Sequence, residues 1–205
     1  MKKVIVVFAN SVKHRKHCVA GKDIETGKWI RPVADANGKE LKKKQCMVIN
    51  PYGEFMVNPL QKVEIELVKS SPLPNQPENF IVGGAQWVQR YNIKAHEVDD
   101  YLDEPEMLWE TGDRVAYSEI ESGAIRITQS LYLVKIDNLR IYKNDRNKRR
   151  ASFSYKGNHY DLPVTVPHSY RQLQTPQHQS ILCVSLGEKF NGFCYKIVAA
   201  IYGRE

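Results

Sequence analysis

A β-hairpin is predicted at residues His17–Val33, which have the sequence HCVAGKDIETGKWIRPV. Two strand-length runs, His17–Ile24 and Lys28–Val33, flank the polar turn residues Glu25-Thr26-Gly27. A short polar turn with a glycine that can adopt a positive φ is typical of a β-hairpin. The pattern therefore predicts two antiparallel strands near the start of the chain.

Further strands are predicted on both sides of this hairpin. Val4–Ala9 and Cys46–Asn50 are short apolar runs, and Val63, Ile65 and Leu67 alternate with charged residues. Alternation with a period of two predicts a strand with one face in the core and one in water. These patterns favour a mainly β fold.

The second half of the chain repeats this plan. Strand patterns occupy Arg114–Tyr117 and Ile125–Tyr142, and the second of these is long enough that a bend is expected within it. Two more hairpins are predicted, the first around Lys156-Gly157-Asn158 and the second around Gly187–Gly192. Evenly spaced short strands of this kind are typical of sandwiches and small barrels.

One stretch has helical spacing. In Ala95–Glu110 the apolar residues Val98 and Leu102 lie four positions apart, and Pro105 interrupts the pattern. We therefore expect a mainly β protein with minor α, made of two small β-barrels joined by a helical segment. The predicted boundaries are 1–92, 93–112 and 113–205.

The charge is unevenly distributed. The 205 residues carry 30 Lys+Arg and 23 Asp+Glu, a net charge of +7. Residues 1–50 and 122–205 each carry +8, residues 51–95 are neutral, and residues 96–121 carry −9. Two basic modules around an acidic segment indicate a polyanionic partner. The acidic segment could limit non-specific binding, cover one barrel or bind a protein partner.

Neither a membrane nor an oxidising compartment is indicated. No apolar run approaches the ~18–20 residues of a membrane helix. The four cysteines form no tight motif, and three of them lie in apolar runs. This usage favours a reducing, cytoplasmic location over a disulfide framework.

The densest polar feature is Ser11–Cys18, where a basic cluster directly follows the first apolar strand. Its candidate nucleic-acid ligands are Ser11, Lys13, His14, Arg15, Lys16 and His17. Such a loop can offer ammonium, guanidinium and imidazole donors to phosphate oxygens. The alternative is a solvated turn whose charges only maintain solubility.

Trp29 and Arg31 share one face of the next predicted strand. An aromatic plane beside a guanidinium suits a stacked base with a neighbouring phosphate or base edge. The alternative is that Trp29 closes the end of a barrel and Arg31 pairs with a carboxylate.

The second half offers a similar set. Lys143–Arg150 holds five basic residues and is expected to be an exposed loop that adds backbone contacts. On the following hairpin, Tyr155, His159 and Tyr160 resemble the aromatic face of a single-strand binder, although alternation places some of them in the core. The other candidate ligands near this hairpin are Asp161, Thr165 and Arg171.

Signals for metal binding and catalysis are weak. His14, His17 and Cys18 lie together, but no second pair of ligands stands at a zinc-like spacing, so we expect neither a metal nor a cofactor. None of the familiar catalytic motifs is present. An enzyme would have to bring these three residues, Arg31 and Asp161 into one cleft.

Several of these stretches together resemble a known family. They are Ser11–Gly21, Gly27–Val33, Asp161–Thr165 and Cys183–Ala200. The chain resembles the dual OB-containing domain of bacterial proteins of predicted nucleic-acid modification and conflict systems, over nearly its whole length. That resemblance implies two OB-like barrels and recognition of nucleic acid, single-stranded or modified. Where the family pattern has an acidic residue after the threonine, this sequence has Val166, so no acid/base role is implied there.

The leading hypothesis is thus a nucleic-acid-binding protein without catalysis. The first alternative is an enzyme acting on a nucleotide or nucleic acid. The second is a protein-interaction module that uses the acidic segment 96–121.

Overall fold

The computed structural model describes residues 1–13, 16–166 and 177–203. The chain divides into two compact units, Met1–Tyr101 and Leu102–Glu205. Strands dominate both units. Within the described ranges, no helix has the length and apolar character needed to cross a membrane.

The first unit is a closed barrel with a sheet extension. Its described strands are β1 (Lys2–Lys13), β2 (Lys16–Asp23), β3 (Trp29–Val33), β4 (Met47–Asn50), β5 (Gly53–Met56), β6 (Gln61–Ser70), β7 (Asn79–Val82) and β8 (Trp87–Asn92). The barrel runs β1-β2-β3-β7-β6, and β6 pairs with β1 to close it. β3 and β7 are parallel, and the other barrel pairs are antiparallel. β8, β4 and β5 continue the sheet beyond β6.

Alternation of apolar residues places the first core inside this barrel. Val63, Ile65 and Leu67 of β6 are buried while the charged residues between them are only partly covered, which confirms the predicted half-buried strand. Gly21 of β2 is required by close packing, because a Cβ there would lie 2.3 Å from the carbonyl oxygen of Val6. No larger residue fits between these two strands.

The second unit repeats the barrel order. Its described elements are β9 (Arg114–Ala116), α1 (Tyr117–Glu121), β10 (Leu131–Lys143), β11 (Arg149–Tyr155), β12 (Asn158–Pro163), β13 (Gln177–Phe190) and β14 (Phe193–Gly203). The sheet runs β12-β11-β10-β13-β14-β9. A parallel bridge between Val164 and Val198 then links the end of β12 to β14. Strands β10 to β14 therefore have the same connections as β1, β2, β3, β6 and β7, and both units are OB-like.

The predicted turns lie where glycine permits a positive φ. Lys156 and Gly157 have φ values of 44° and 79°, and Asn191 and Gly192 have 48° and 82°. Two consecutive positive φ values match the twist of a two-residue hairpin. The second turn is shorter than the predicted loop Gly187–Gly192, because strand pairing continues to the tip. The expected bend in β10 is a register shift between Asp137 and Arg140.

The helical stretch is shorter than predicted. Ala95–Tyr101 is a 3₁₀ helix that ends the first unit, and no helix continues through Leu102–Asp113. Pro105 disfavours helix at this point, and Trp109 has a positive φ of 64°. Leu108 and Trp109 pack in the core of the second unit instead. The predicted connector 93–112 is thus divided between the two units.

Candidate nucleic-acid interface

The connection between β1 and β2 carries the first basic cluster. Lys13 and Lys16 are paired at the ends of the two strands, whereas His14 and Arg15 lie outside the described residues. Lys16 is partly exposed and lies 4.0 Å from Glu40. Ser11 is only 6% exposed, so this candidate ligand lies beneath the surface rather than on it.

His17 is held in a defined orientation at the start of β2. Asn10 donates its amide hydrogen to the carbonyl oxygen of Val57 at 2.7 Å, so its side-chain oxygen is left as an acceptor. His17 Nδ1 lies 2.9 Å from that oxygen and donates to it. Burial, and then the positive charge of Lys43, lower the pKa of His17 below its ordinary value. The ring is therefore neutral at pH 7, with Nε2 as the nitrogen that titrates.

A second lysine cluster joins this loop in the fold. His17 and Leu41 exchange two backbone hydrogen bonds, each 2.9 Å long, which set a 3₁₀ helix at Lys43–Cys46 against β2. Lys42, Lys43 and Lys44 are exposed, and no carboxylate pairs with them within the described part of the chain. We define the first basic surface as Lys16, His17, Lys42, Lys43 and Lys44. The three consecutive lysines were not among the predicted ligands, although their run of charge is visible in the sequence.

Trp29 lies on the outward face of β3, opposite the core residue Ile30, yet it is only 4% exposed. Its ring meets Phe8 edge-on at 6.0 Å, and the Lys22 ammonium lies 5.3 Å from its centre. The surface that a stacked base would need is already occupied. The stacking role predicted for Trp29 is therefore corrected in favour of the alternative, a buried ring of the barrel wall.

Arg31 also follows the alternative interpretation. It is 8% exposed, and its Nε donates to Oε1 of Glu78 at 3.2 Å. Its backbone N–H donates to the carbonyl oxygen of the same residue at 3.0 Å. Glu78 belongs to the loop between β6 and β7, so this buried ion pair ties that loop to β3. Arg31 is a structural residue here rather than a contact for a base or phosphate.

Part of the acidic segment packs on this outward face. Tyr101, the last residue of the Ala95–Tyr101 helix, lies 5.2 Å from Phe8 between ring centres. Its carbonyl oxygen accepts a hydrogen bond from Lys22 Nζ at 2.7 Å. One of the roles considered for the acidic segment, covering a barrel, thus applies to its first few residues.

The second basic cluster lies at the equivalent connection of the second barrel. Between β10 and β11, Asn144 closes the loop by accepting hydrogen bonds from the backbone N–H groups of Arg146 and Lys148 at 3.1 and 2.9 Å. Lys143, Arg146 and Lys148 are exposed, and none pairs with a carboxylate in the described ranges. We define these three residues as the second basic surface.

Beside this loop, the outward face of β10–β12 is polar and accessible. Tyr142 donates its hydroxyl hydrogen to Asp161, and the Arg150 guanidinium donates to the same carboxylate. Desolvation raises the pKa of Asp161, but these partners outweigh it and lower that pKa below its ordinary value. The carboxylate is therefore ionised and serves to orient Tyr142 and Arg150. Arg140 lies over the Tyr142 ring at 5.7 Å.

The aromatic residues of the β11–β12 hairpin divide between core and solvent. Tyr155 is 5% exposed and donates to the carbonyl oxygen of Pro105 at 2.7 Å, and burial raises its pKa to about 12. Tyr160 is buried and stacks on Phe153 at 5.6 Å. His159 is exposed, beside Ser154 on β11. The binding role predicted for Tyr155 is therefore corrected, because strand alternation turns its ring inward.

The last two candidate ligands, Thr165 and Arg171, belong to neither basic surface. Thr165 is tied to β14, because its N–H and hydroxyl both donate to the carbonyl oxygen of Val198, at 3.0 and 3.3 Å. It helps to hold the strand that closes the second barrel. Arg171 lies outside the described residues.

The two equivalent barrels match one family over almost the whole chain. Residues 3–201 fit the model of the dual OB-containing domain. The chain belongs to the dual OB-containing domain family. No curated protein matches it.

Solved structures resemble this dual OB-containing chain only distantly. A murine DNA-binding protein bound to double-stranded DNA has a TM-score of 0.39 at 9% identity, covering 100% of this chain and 98% of that one. The Ifi202 HINa domain in complex with 20-bp double-stranded DNA has a TM-score of 0.37 at 10% identity, covering 100% and 96%. Likeness at this level carries no conclusion about function.

Two of the groups proposed for catalysis form ion pairs in different units of this dual OB-containing fold. Arg31 pairs with Glu78 in the first unit, and Asp161 pairs with Arg150 in the second. Among the described residues, no group of three His, Cys, Asp or Glu side chains is placed to hold a metal ion.

Arg140 and Tyr142 were not among the predicted ligands, and Arg150 was predicted only as part of the basic stretch Lys143–Arg150. The signal was available, because Arg140 and Tyr142 lie two positions apart in a strand pattern and so share a face. The shared contact of Tyr142 and Arg150 with Asp161, however, needs three strands in register.

Proposed function

We propose that this protein binds nucleic acid through its two basic surfaces. The observation that carries the proposal is their similar placement at the connection between the first and second strands of an OB-like barrel. The second surface lies in that connection, and the first combines it with Lys42, Lys43 and Lys44, which the His17–Leu41 bridge places beside it. In OB folds this loop and the neighbouring face of the second and third strands bind oligonucleotides. Exposed lysine and arginine side chains without carboxylate partners are suited to phosphate oxygens, whose neutralisation releases counterions.

The sheet face beside the second basic surface favours single strands. Ser152 and Ser154 on β11 are small, so they leave room over the sheet between Tyr142 and His159. Unpaired bases can stack on an aromatic or imidazole ring of this kind, whereas bases inside a duplex cannot reach it. We therefore infer that the preferred ligand is single-stranded, with phosphates on the basic loop and bases over the sheet.

A binding panel tests the function. Fluorescence anisotropy would measure affinity for single-stranded DNA, single-stranded RNA and duplex DNA across a range of salt concentrations. With about five phosphates neutralised, the log–log salt slope for single strands should be about −3.5. The proposal is wrong if no ligand binds in a salt-sensitive way.

Charge-matched variants locate the surface. Lys42→Ala/Lys43→Ala/Lys44→Ala and Lys143→Ala/Arg146→Ala/Lys148→Ala should each weaken binding and flatten the salt slope. The control removes three exposed lysines outside both surfaces, Lys28, Lys69 and Lys94. If the control weakens binding as much as the test variants, then only net charge matters and these surfaces are not the site.

A further inference from the structure

A cleft of about 770 Å³ adjoins the first basic surface. One wall is the Lys43–Cys46 helix with Lys43, Lys44 and Gln45, and the other is the Gly83–Gln86 connection between β7 and β8. The volume lies within the range of small-ligand sites, about 300–1,000 Å³. Because Lys43 belongs to both features, a ligand in the cleft could continue onto the basic surface.

The Gly83–Gln86 wall is fixed in place by Glu66. Gly83 N–H donates to the backbone oxygen of Glu66 at 2.8 Å, and Ala85 N–H donates to its carboxylate at 3.1 Å. A Cβ at Gly83 would lie 2.3 Å from an oxygen of this carboxylate, so a larger residue there would displace the Glu66 side chain. At Gly84, in contrast, a Cβ would meet nothing within 4 Å, and its φ is not positive. The wall is thus anchored through Glu66, and Gly84, which lines the cleft, has room for a side chain.

The lining combines apolar surface with groups that can read a polar edge. Met47, which is partly exposed, and Ala85 supply the apolar part, whereas Trp87 is only 2% exposed and belongs to the core behind the cleft. Gln45 Oε1 accepts from the Lys42 N–H at 2.9 Å, which leaves its NH₂ group as a donor. Gln86 donates to Oε1 of Glu54 at 2.8 Å, which leaves Oε2 of Glu54 and Oε1 of Gln86 as acceptors. Donors and acceptors therefore stand together at the rim.

We propose that this cleft receives the base of one unstacked nucleotide, while the flanking phosphates lie on Lys43, Lys44 and the rest of the first basic surface. A nucleobase needs apolar contact for its faces and hydrogen-bonding partners for its edge. In the cleft, Met47 and Ala85 offer the first, and Gln45, Glu54 and Gln86 offer the second. The two lysines supply charge complementary to the phosphates. This inference rests on the proposed function and adds a site outside the sheet face used for stacking.

Such a site accepts only unpaired nucleotides. A base inside a duplex must first be unpaired and unstacked before it can enter a pocket, and this costs free energy. The cleft therefore selects single strands, ends or bulges, independently of the face formed by β10–β12.

The test fills the cleft. Gly84→Trp places a large side chain where the backbone has room, and Gly84→Ala is the matched control. Each protein is titrated with a thymidine 12-mer and with a 12-mer of the same backbone that lacks bases. We expect Gly84→Trp to weaken binding of the thymidine 12-mer about tenfold, within the range measured for loss of one base contact, and to leave the baseless 12-mer unchanged. Gly84→Ala should behave as the wild type.

Other outcomes separate this inference from the proposed function. If the wild type binds neither 12-mer, the proposed function is wrong. If the wild type binds both and Gly84→Trp does not alter the difference between them, the cleft does not hold a base. Titration with thymidine monophosphate distinguishes a base carried on a strand from a free mononucleotide. If the monophosphate binds tightly and the 12-mer cannot displace it, the cleft is a site for a free mononucleotide and the inference is overturned. Gln86→Ala, which removes only a rim hydrogen bond, repeats the comparison if Gly84→Trp fails to fold.

Discussion

His17 and Leu41 exchange two backbone hydrogen bonds of 2.9 Å. This bridge joins the end of the β1–β2 connection to the segment that begins the lysine run 42–44. Two groups of cations separated by about two dozen positions in the sequence thereby form one surface. The first two strands of the barrel alone would present only part of this basic surface.

The pH dependence of binding should report on His17. Its pKa is lowered by burial and by Lys43, so the ring is neutral at pH 7 and gains a charge as the pH falls. A bound phosphate favours the charged ring, so affinity for single-stranded DNA should rise as the pH is lowered from 7 to 5.5. A rise of about half to one unit in the pKa of His17 on binding corresponds to a roughly threefold to tenfold increase in affinity. Anisotropy titrations across this pH range measure the effect.

The His17→Gln variant should lack this increase in affinity at low pH. The control is His96→Gln, which replaces an exposed histidine outside both basic surfaces and should retain the increase. Equal pH dependence in the wild type and His17→Gln would assign the effect to other groups.

Tyr142 and Trp29 should respond in opposite ways. Tyr142 lies on the accessible face, so Tyr142→Ala should weaken binding of single strands by about 1–3 kcal/mol and change stability little. Trp29 is buried, so Trp29→Ala should cost about 3–5 kcal/mol of the free energy of unfolding. Urea denaturation and anisotropy measure the two quantities. A Tyr142→Ala variant that binds as the wild type would remove the sheet face of the second barrel from the interface.

The Arg31–Glu78 pair should be essential for stability. Both side chains are nearly excluded from water, at 10% and 5% exposure. Removal of one partner leaves a buried charge uncompensated, so Arg31→Ala should lower the free energy of unfolding by about 3–5 kcal/mol. Arg31→Met/Glu78→Met should cost less than the sum of the single Met variants in urea denaturation. Additive costs would mean that the two residues do not act as a pair.

Lys196 should make stability depend on pH in the alkaline range. Its buried ammonium donates to the backbone carbonyls of Glu110, Thr111 and Gly112. Burial lowers the pKa of Lys196 to about 8, although the negative charges of Glu110 and Asp113 act to raise it. Since the unfolded chain keeps a pKa near 10.5, it binds more protons than the folded chain above pH 8. The contribution of this group to stability should therefore increase as the pH rises from about 8 toward 10.

Urea denaturation of the wild type and Lys196→Met between pH 7.5 and 9.5 tests this dependence. The variant should be less stable throughout, because three buried carbonyls lose their donor. The stability difference should widen with pH, and a difference that stays constant would contradict the lowered pKa.

Local patterns in the sequence predicted most of the strands and turns, but the short strands β5, β7 and β8 were not predicted. Period-two alternation depends only on neighbouring residues, as in Val63, Ile65 and Leu67, and Gly157 permits a turn through its own backbone. The helix was overestimated for a tertiary reason. The spacing of Val98 and Leu102 suits a helix, but the burial of Leu108 and Trp109 in the second core draws the chain into an irregular path.

The sequence by itself determined most of the strands, the hairpin turns and the positions of the two basic clusters, because these follow from residues close in sequence. It placed Ser11–Cys18 in a loop, whereas β1 and β2 extend to Lys13 and from Lys16. Tertiary structure decided which side chains are accessible. Trp29 and Arg31 are on the outward side of a strand, yet Phe8, Lys22 and Glu78 engage them, and the contacts arise from strands and loops distant along the chain. Burial depends on what packs against a face, and alternation within one strand does not contain that information.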